Sequence, residues 1–266
     1  YTNACRLTKL MGCTLDEINI AEAVTVHLKD IKHKISDHNT AYENAQARER
    51  TQVLMDIAND ENALVVGTGD LSELALGWCT YNGDHMSNYA VNASVPKTLM
   101  RYLVSYYAMT CGNTELCDVL NDVVETPVSP ELLPTVKGKI AQKTEDKIGP
   151  YELHDFFLFN MINNGFSPSK IFRLAKYAWG ESYDDGTIYK WLDTFVRRFF
   201  SSQFKRSCLP DGPSVGLVSL SPRGSWEMPS DAQRDTWLRD LESVRPKKAA
   251  AKKAEKSKTA AGKSGK

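Results

Sequence analysis

The sequence predicts an α/β protein with a three-layer architecture, a parallel sheet flanked by helices, and three observations carry that expectation. A short apolar run, Ala63 to Val66, stops at Gly67-Thr68-Gly69 and gives way to helical periodicity through Leu71, Leu74, Ala75 and Trp78. Leu15 to Ile20 (LDEINI) alternates apolar and polar residues as a half-buried strand does. Between and after these lie long stretches of helical spacing, and strands separated by helices favour parallel pairing. In chain order, Tyr1 to Met11 reads as a helix already in progress, with Ala4, Leu7 and Met11 on one face and no capping residue ahead. A start truncated at the amino end is therefore expected. Asn39 to Ala58 reads as an amphipathic helix with Ala47, Leu54 and Ala58 on one stripe and Val53 with Ile57 beside it. Pro96 to Met109, Glu115 to Val124, Pro150 to Ile162, Pro168 to Tyr177 and Asp184 to Phe204 follow as helices. Their prolines stand at or just before first turns, where a missing N–H is harmless. Pro210 to Pro229, rich in Pro, Gly and Ser, is expected to wrap the surface without regular structure before a last helix, Asp231 to Leu241.

The 266 residues balance 33 basic against 33 acidic side chains, but unevenly. Arg245 to Lys266 holds nine Lys or Arg and one acid, Glu255, a net charge of +8 that leaves −8 on the rest. Residues 245–266 contain no large apolar residue and are expected to be disordered. With no interleaved aromatic to stack on a base, the tail is not expected to bind nucleic acid. No apolar run is long enough to span a membrane, Tyr1 to Leu10 has no signal-peptide pattern, and a cytoplasmic location is expected. Six cysteines without a C-x-x-C pair support neither a zinc ribbon nor a small disulfide scaffold. The five histidines form no metal-ligand spacing.

The best local candidate for chemistry is the turn Gly67-Thr68-Gly69-Asp70, because ligands in open α/β sheets sit beyond the carboxyl ends of strands and helix N-termini receive anions. Asp70 and Glu73 stand at capping-box spacing, which favours capping over ligand binding. Both would also turn away from the apolar stripe of their helix, where a magnesium ion held by one or two carboxylates and phosphate can be reached. Trp78 to His85 packs two aromatics, hydroxyls, a glycine turn and an acid into eight residues, a composition suited to a heteroaromatic ligand. Asn44 with Arg48, and Gln46 with Arg50, lie on polar helix faces for which solvation is the default. Lys143-Thr144-Glu145-Asp146 reads as a polar loop that either covers a site or joins two helices. Arg197, Arg198, Lys205 and Arg206 gather around Phe195, Phe199 and Phe204, either for anionic ligands or as an amphipathic helix end.

Several blocks together resemble one family. They are ENAQARERTQVLM (Glu43 to Met55), Ala63 to Leu103, SPELLP (Ser129 to Pro134), QKTEDKIGPYELHDFFL (Gln142 to Leu158) and RRFFSSQFKRSCLPDGPSVG (Arg197 to Gly216). In this order they look like the synthetase domain of glutamine-dependent NAD synthetase, an ATP pyrophosphatase. The resemblance implies an adenine nucleotide alpha hydrolase-like, Rossmann-like fold. It also implies a ligase that adenylates deamido-NAD with ATP and displaces AMP with ammonia, supplied from glutamine by a nitrilase-like glutaminase domain, fused or separate, in a homo-oligomer. By motif match Thr68 and Lys97 would contact ATP. Asn44, Glu73, Trp78, Cys79, Thr80, Tyr81 and Lys205 would contact deamido-NAD, with Glu73 also at magnesium, while Arg48, Arg50, Lys143, Glu145 and Asp146 are lesser candidates. The family's Ser-Gly-Gly-x-Asp-Ser loop has no counterpart in this sequence. The expected organisation is thus residues 1–209 as a synthetase domain without its first strand and ATP pyrophosphate loop, 210–244 as its carboxyl-terminal wrap and short helix, and 245–266 as tail. Such a chain is expected to have little activity alone, the alternative being a non-catalytic nucleotide-binding module.

Overall fold

The computed structural model describes residues 1–127 and 144–246, and within them helices dominate. The sequence blocks and candidates at Ser129 to Pro134, Gln142 and Lys143, and the tail from 247 onward, lie outside the described residues. The elements are α1 (Thr2–Leu10), α2 (Ala21–Asp30), α3 (Thr40–Asp60), β1 (Val66–Gly67), α4 (Leu71–Leu76), β2 (Tyr89–Ala90) and α5 (Lys97–Thr110). They continue with α6 (Thr114–Glu125), α7 (Thr144–Ile148), α8 (Tyr151–Ile162), α9 (Pro168–Trp179), α10 (Asp185–Ser201), α11 (Gln203–Arg206) and α12 (Asp235–Glu242).

Local chemistry sets several helix ends. The Asn39 side chain accepts from the Ala41 and Tyr42 amides at the start of α3, Asn113 from Leu116 at α6, and Asp184 from Thr187 at α10. Pro168 opens α9, and Gly77, at φ 59°, closes α4 in the left-handed conformation that glycine adopts without strain.

The main core lies where α8, α9 and α10 meet, with α4 and α12 against them. On α10, Ile188, Trp191, Leu192, Phe195, Val196 and Phe199 recur at helical spacing and are all buried. They meet Leu153, Phe157 and Leu158 of α8 and Ile171, Phe172 and Ala175 of α9. Each such side chain contributes about 1.5–3 kcal/mol by leaving water. Residues 210–229 hold no helix or named strand, as expected, yet Val218 and Leu220 from this wrap plug the same core. Two small clusters stand apart: Val24 and Leu28 of α2 with Ala45 of α3, and Ala108 of α5 with Leu116 and Leu120 of α6.

The described residues contain a two-stranded parallel sheet, with Val66 opposite Tyr89 and Gly67 opposite Ala90, plus a parallel bridge from Tyr89 to Asp211. Several expectations are corrected. Leu15 to Ile20 forms no strand; alternation alone supplies no neighbour to complete a ladder, and α2, which the periodicity did not reveal, follows instead. Of Ala63 to Val66 only Val66 joins a strand, and Ala63, Leu64 and Val66 are exposed, so the run is not the buried strand its composition suggests. Leu54 is 52% exposed, because only the alanines of α3 come close enough to neighbours to be buried. Thr144 to Asp146 begins the short helix α7 rather than a loop. The helix expected from Asp184 to Phe204 breaks at Ser202, and the last one starts at Asp235 rather than Asp231.

Candidate functional site

The site grows from the two ends of α4. At its start, Asp70 and Glu73 form the capping box their spacing predicts: Asp70 Oδ1 accepts from the Glu73 amide at 2.9 Å, and Glu73 Oε2 from the Asp70 amide at 3.3 Å. The remaining oxygens converge on one cation. Lys97 Nζ, at the first residue of α5, stands 2.6 Å from Asp70 Oδ2 and 2.7 Å from Glu73 Oε1. Capping and charge binding are therefore one arrangement, with one face of the acid pair on backbone and the other on an ammonium. Burial, with the neighbouring Asp70 charge, holds the Glu73 carboxyl above its usual range despite Lys97. Burial pulls the Lys97 ammonium the other way, but the two carboxylates outweigh it and leave Lys97 raised. The Tyr151 ring lies beneath that ammonium at 5.4 Å, the distance of a cation–π contact.

At the far end of α4 three cations donate to the carbonyls that a helix leaves unpaired and to those just beyond it. Arg198 donates to Leu76 O at 2.9 Å while its guanidinium stacks on Trp78 at 5.1 Å. Lys205 Nζ donates to Gly77 O and Cys79 O, at 2.8 and 2.6 Å. Arg206, 1% exposed, donates to Leu74 O and Ala75 O, both at 3.1 Å, and to Phe199 O. Burial draws the Arg206 guanidinium down to about 9. Arg197 is different: it pairs with Asp193 on the surface.

These anchors fix the loop after α4. Thr80 Oγ1 donates to Asn44 Oδ1 of α3 at 2.9 Å, its amide donates to Asp84 Oδ1 at 2.7 Å, and Arg48 Nε donates to Tyr81 O at 3.1 Å. Tyr81 lies between His85 and Phe204, each ring centroid 5.4 Å away. Burial pushes the Cys79 thiol up to about 12, which keeps it neutral and unreactive at physiological pH. A narrow cleft of about 20 Å³ lies between Gly67, Gly69, Glu73, Cys79, Asp84 and His85. A wider open hollow on α2, beside Asn19, Glu22, His27 and Asp30, contains none of the residues singled out for ligand contact.

The structure thus joins Glu73 to Lys97 at one end of α4, and Asn44, Trp78, Cys79, Thr80, Tyr81 and Lys205 through the loop at the other. Thr68 is exposed in the glycine turn that precedes α4. Glu145 accepts from the Tyr151 amide and so serves the start of α8, while Asp146 is exposed on α7. Sequence reasoning missed Ser72, Asp155 and Tyr151, which surround Lys97, and left Asp84 and His85 without roles. A serine inside the apolar stripe of a short helix was the available signal for Ser72. Among the described residues no three His, Cys, Asp or Glu side chains form a ready metal cluster, and no helix is long and apolar enough to cross a membrane.

A glycine turn beside a parallel pair of strands, a lysine on an acid pair and an aromatic loop beyond it are thus gathered around one short helix. The fold is similar to that of a glutamine-dependent NAD(+) synthetase from Cytophaga hutchinsonii, with a TM-score of 0.72 and 19% identity over 92% of this chain and 38% of that one. It is also similar to an NMN synthetase from Francisella tularensis, with a TM-score of 0.54 and 22% identity over 77% of this chain and 69% of that one. The family model described as NAD synthase matches residues 1–190, and the chain belongs to that family. Glutamine-dependent NAD(+) synthetases from Mycobacterium leprae and Mycobacterium tuberculosis are 42% and 43% identical over 92% of the chain. The chain spans 40% of the length of those relatives.

Proposed function

We propose that this chain is the synthetase part of a glutamine-dependent NAD synthetase, working on deamido-NAD and ATP in NAD biosynthesis. The observation that carries the reading is the α4 arrangement: an acid pair clamped on Lys97 at one end, and Trp78 to Tyr81 held by Lys205 and Asn44 at the other. In this reading Thr68 and Lys97 face ATP, and Asn44, Glu73, Trp78, Cys79, Thr80, Tyr81 and Lys205 receive deamido-NAD. Lys97 offsets charge on phosphate oxygens, and the Trp78 and Tyr81 rings flank the heteroaromatic end while the packed loop excludes water from an acyl-adenylate.

The donors present suit a hard divalent ion. Glu73 Oε1 is a carboxylate oxygen paired with the Lys97 ammonium, which also pairs with Asp70 Oδ2, so a cation at Glu73 would leave Lys97 its second carboxylate. Glu73 would hold magnesium, which when bound supplies further charge compensation on phosphate. The wider proposal assigns ammonia supply to a glutaminase domain acting on glutamine, assembly to a homo-oligomer, location to the cytoplasm, and a three-layer Rossmann-like sheet to the complete fold. Residues 1–209 and 210–244 are read as one synthetase unit, which the burial of Val218 and Leu220 in the shared core supports.

Calorimetric titration of the chain with deamido-NAD tests the site. The double substitution Glu73→Ala with Trp78→Ala is expected to weaken binding at least tenfold while the far-ultraviolet helical signal is retained. Unchanged uptake by the folded double variant would overturn the assignment.

A further inference from the structure

We propose, resting on the functional reading of Lys97, that Asp155 of α8 is a positioning residue that fixes the first turn of α5 and so places the Lys97 ammonium between Asp70 and Glu73. The need for such a residue starts with Pro96. A helix leaves its first amides without intrahelical partners, and the N-cap side chain ordinarily accepts from one of them. Pro96 occupies that position in α5 and makes no side-chain cap. The two foremost amides are those of Lys97 and Thr98, and both are taken from outside the helix. The Lys97 amide donates to Ser72 Oγ at 2.7 Å, and the Thr98 amide donates to Asp155 Oδ2 at 3.0 Å.

Asp155 controls both contacts. A serine hydroxyl has one proton, and with its lone pair turned to the Lys97 amide that proton must find an acceptor elsewhere. It goes to Asp155 Oδ1. The other carboxylate oxygen accepts from the Thr98 hydroxyl at 2.7 Å as well as from the amide. A negative charge at a helix start adds to the same end of the dipole. One turn earlier on α8, Tyr151 places its ring under the Lys97 ammonium, and its buried hydroxyl has no hydrogen-bond partner among the described residues. Since Tyr151, Leu153, Phe157 and Leu158 anchor α8 in the main core, Lys97 is braced from two directions by a helix set in that core.

A purely structural tie among α4, α5 and α8 would involve the same bonds, so the test must separate the arm that leads to Lys97 from the arm that does not. Competitive acylation by acetic anhydride, read by mass spectrometry at each lysine and referenced to exposed Lys176, measures how firmly the Lys97 amine is held. Asp155→Asn and Ser72→Ala are each expected to raise the Lys97 rate at least fivefold. Asn cannot accept from both partners, and alanine removes the relay. Thr98→Val, which deletes a hydrogen bond to the same carboxylate off the relay, is expected to lower thermal stability while changing the Lys97 rate less than twofold. The proposal falls if folded Asp155→Asn leaves Lys97 within twofold of the parent, or if Thr98→Val accelerates it as much as Ser72→Ala does. Should Asp155→Asn fail to fold, the comparison of Ser72→Ala with Thr98→Val decides alone. This readout needs no nucleotide, so loss of the functional reading, seen as absent deamido-NAD uptake by the unsubstituted chain, leaves the positioning result standing.

Discussion

The bundle of α8, α9 and α10 and the pair α2 and α3 are both helical, but different forces hold them. In the bundle, Leu153, Phe157, Ile188, Leu192, Phe195 and Phe199 are at most 1% exposed and form one continuous apolar cluster. In the pair, the buried cluster amounts to Val24, Leu28 and Ala45, and α3 reaches the site through single polar bonds, Asn44 to Thr80 and Arg48 to the Tyr81 carbonyl. The difference assigns tasks. The bundle carries Arg198 and braces Lys97 through Asp155 and Tyr151, side chains of a helix set in that apolar cluster, whereas α3 adds its polar side chains to the loop after α4 by contacts weak enough to open.

The harshest way to break this contrast is to hollow the bundle. Phe195→Ala is expected to destabilise the chain by about 3–5 kcal/mol, because it removes a fully buried ring and leaves a cavity that α8 and α10 cannot close. Urea unfolding checks it. A loss below about 1 kcal/mol would mean that the bundle is no better packed than the periphery.

A smaller effect comes from acid. Burial pulls His154, enclosed by Phe157, Phe195 and Trp191, down to about 4, with its Nε2 at 2.6 Å from Ile148 O. As pH falls from the unfolded value of 6.5 toward 4, the unfolded chain takes up a proton that the folded chain refuses. Stability is therefore present above about 6.5 and lost below it, by about 3 kcal/mol across the window. His154→Gln, neutral throughout, is expected to flatten that part of the stability–pH curve. An unaltered slope would show that His154 does not titrate inside the bundle.

The same contrast explains what was legible in the sequence. The bundle was readable because Ile188 to Phe199 repeats with a helix period that only one-sided burial produces. The capping box was readable because Asp70 and Glu73 act within one helix turn. Resemblance reached further, to Lys97 and Lys205, but not to what holds them. Asp155 and Ser72 are 83 positions apart and meet only through the fold, so no local pattern marks them. Leu15 to Ile20 and Ala63 to Val66 misled for a related reason. Strand character lies in a partner's hydrogen bonds, and an apolar run cannot say whether a neighbour stands beside it. The cations of α10 and α11 were legible as charge, though their role as caps for α4 required the carbonyls of Leu74 to Cys79 to be seen in place.

The smallest expected effect bears on the tie between the two regions. Thr80→Val removes the hydroxyl that donates to Asn44 Oδ1 while preserving side-chain shape, and the Thr80 amide keeps its bond to Asp84. A single half-buried hydrogen bond is worth about 1 kcal/mol, or about fivefold in an opening equilibrium. Amide exchange in the first turns of α3 should therefore quicken about fivefold, while the α10 amides, which open only when the bundle does, keep their protection. Equal acceleration in both places would show that α3 and the bundle unfold as one unit. The division between a rigid platform and a detachable polar face would then have to be given up.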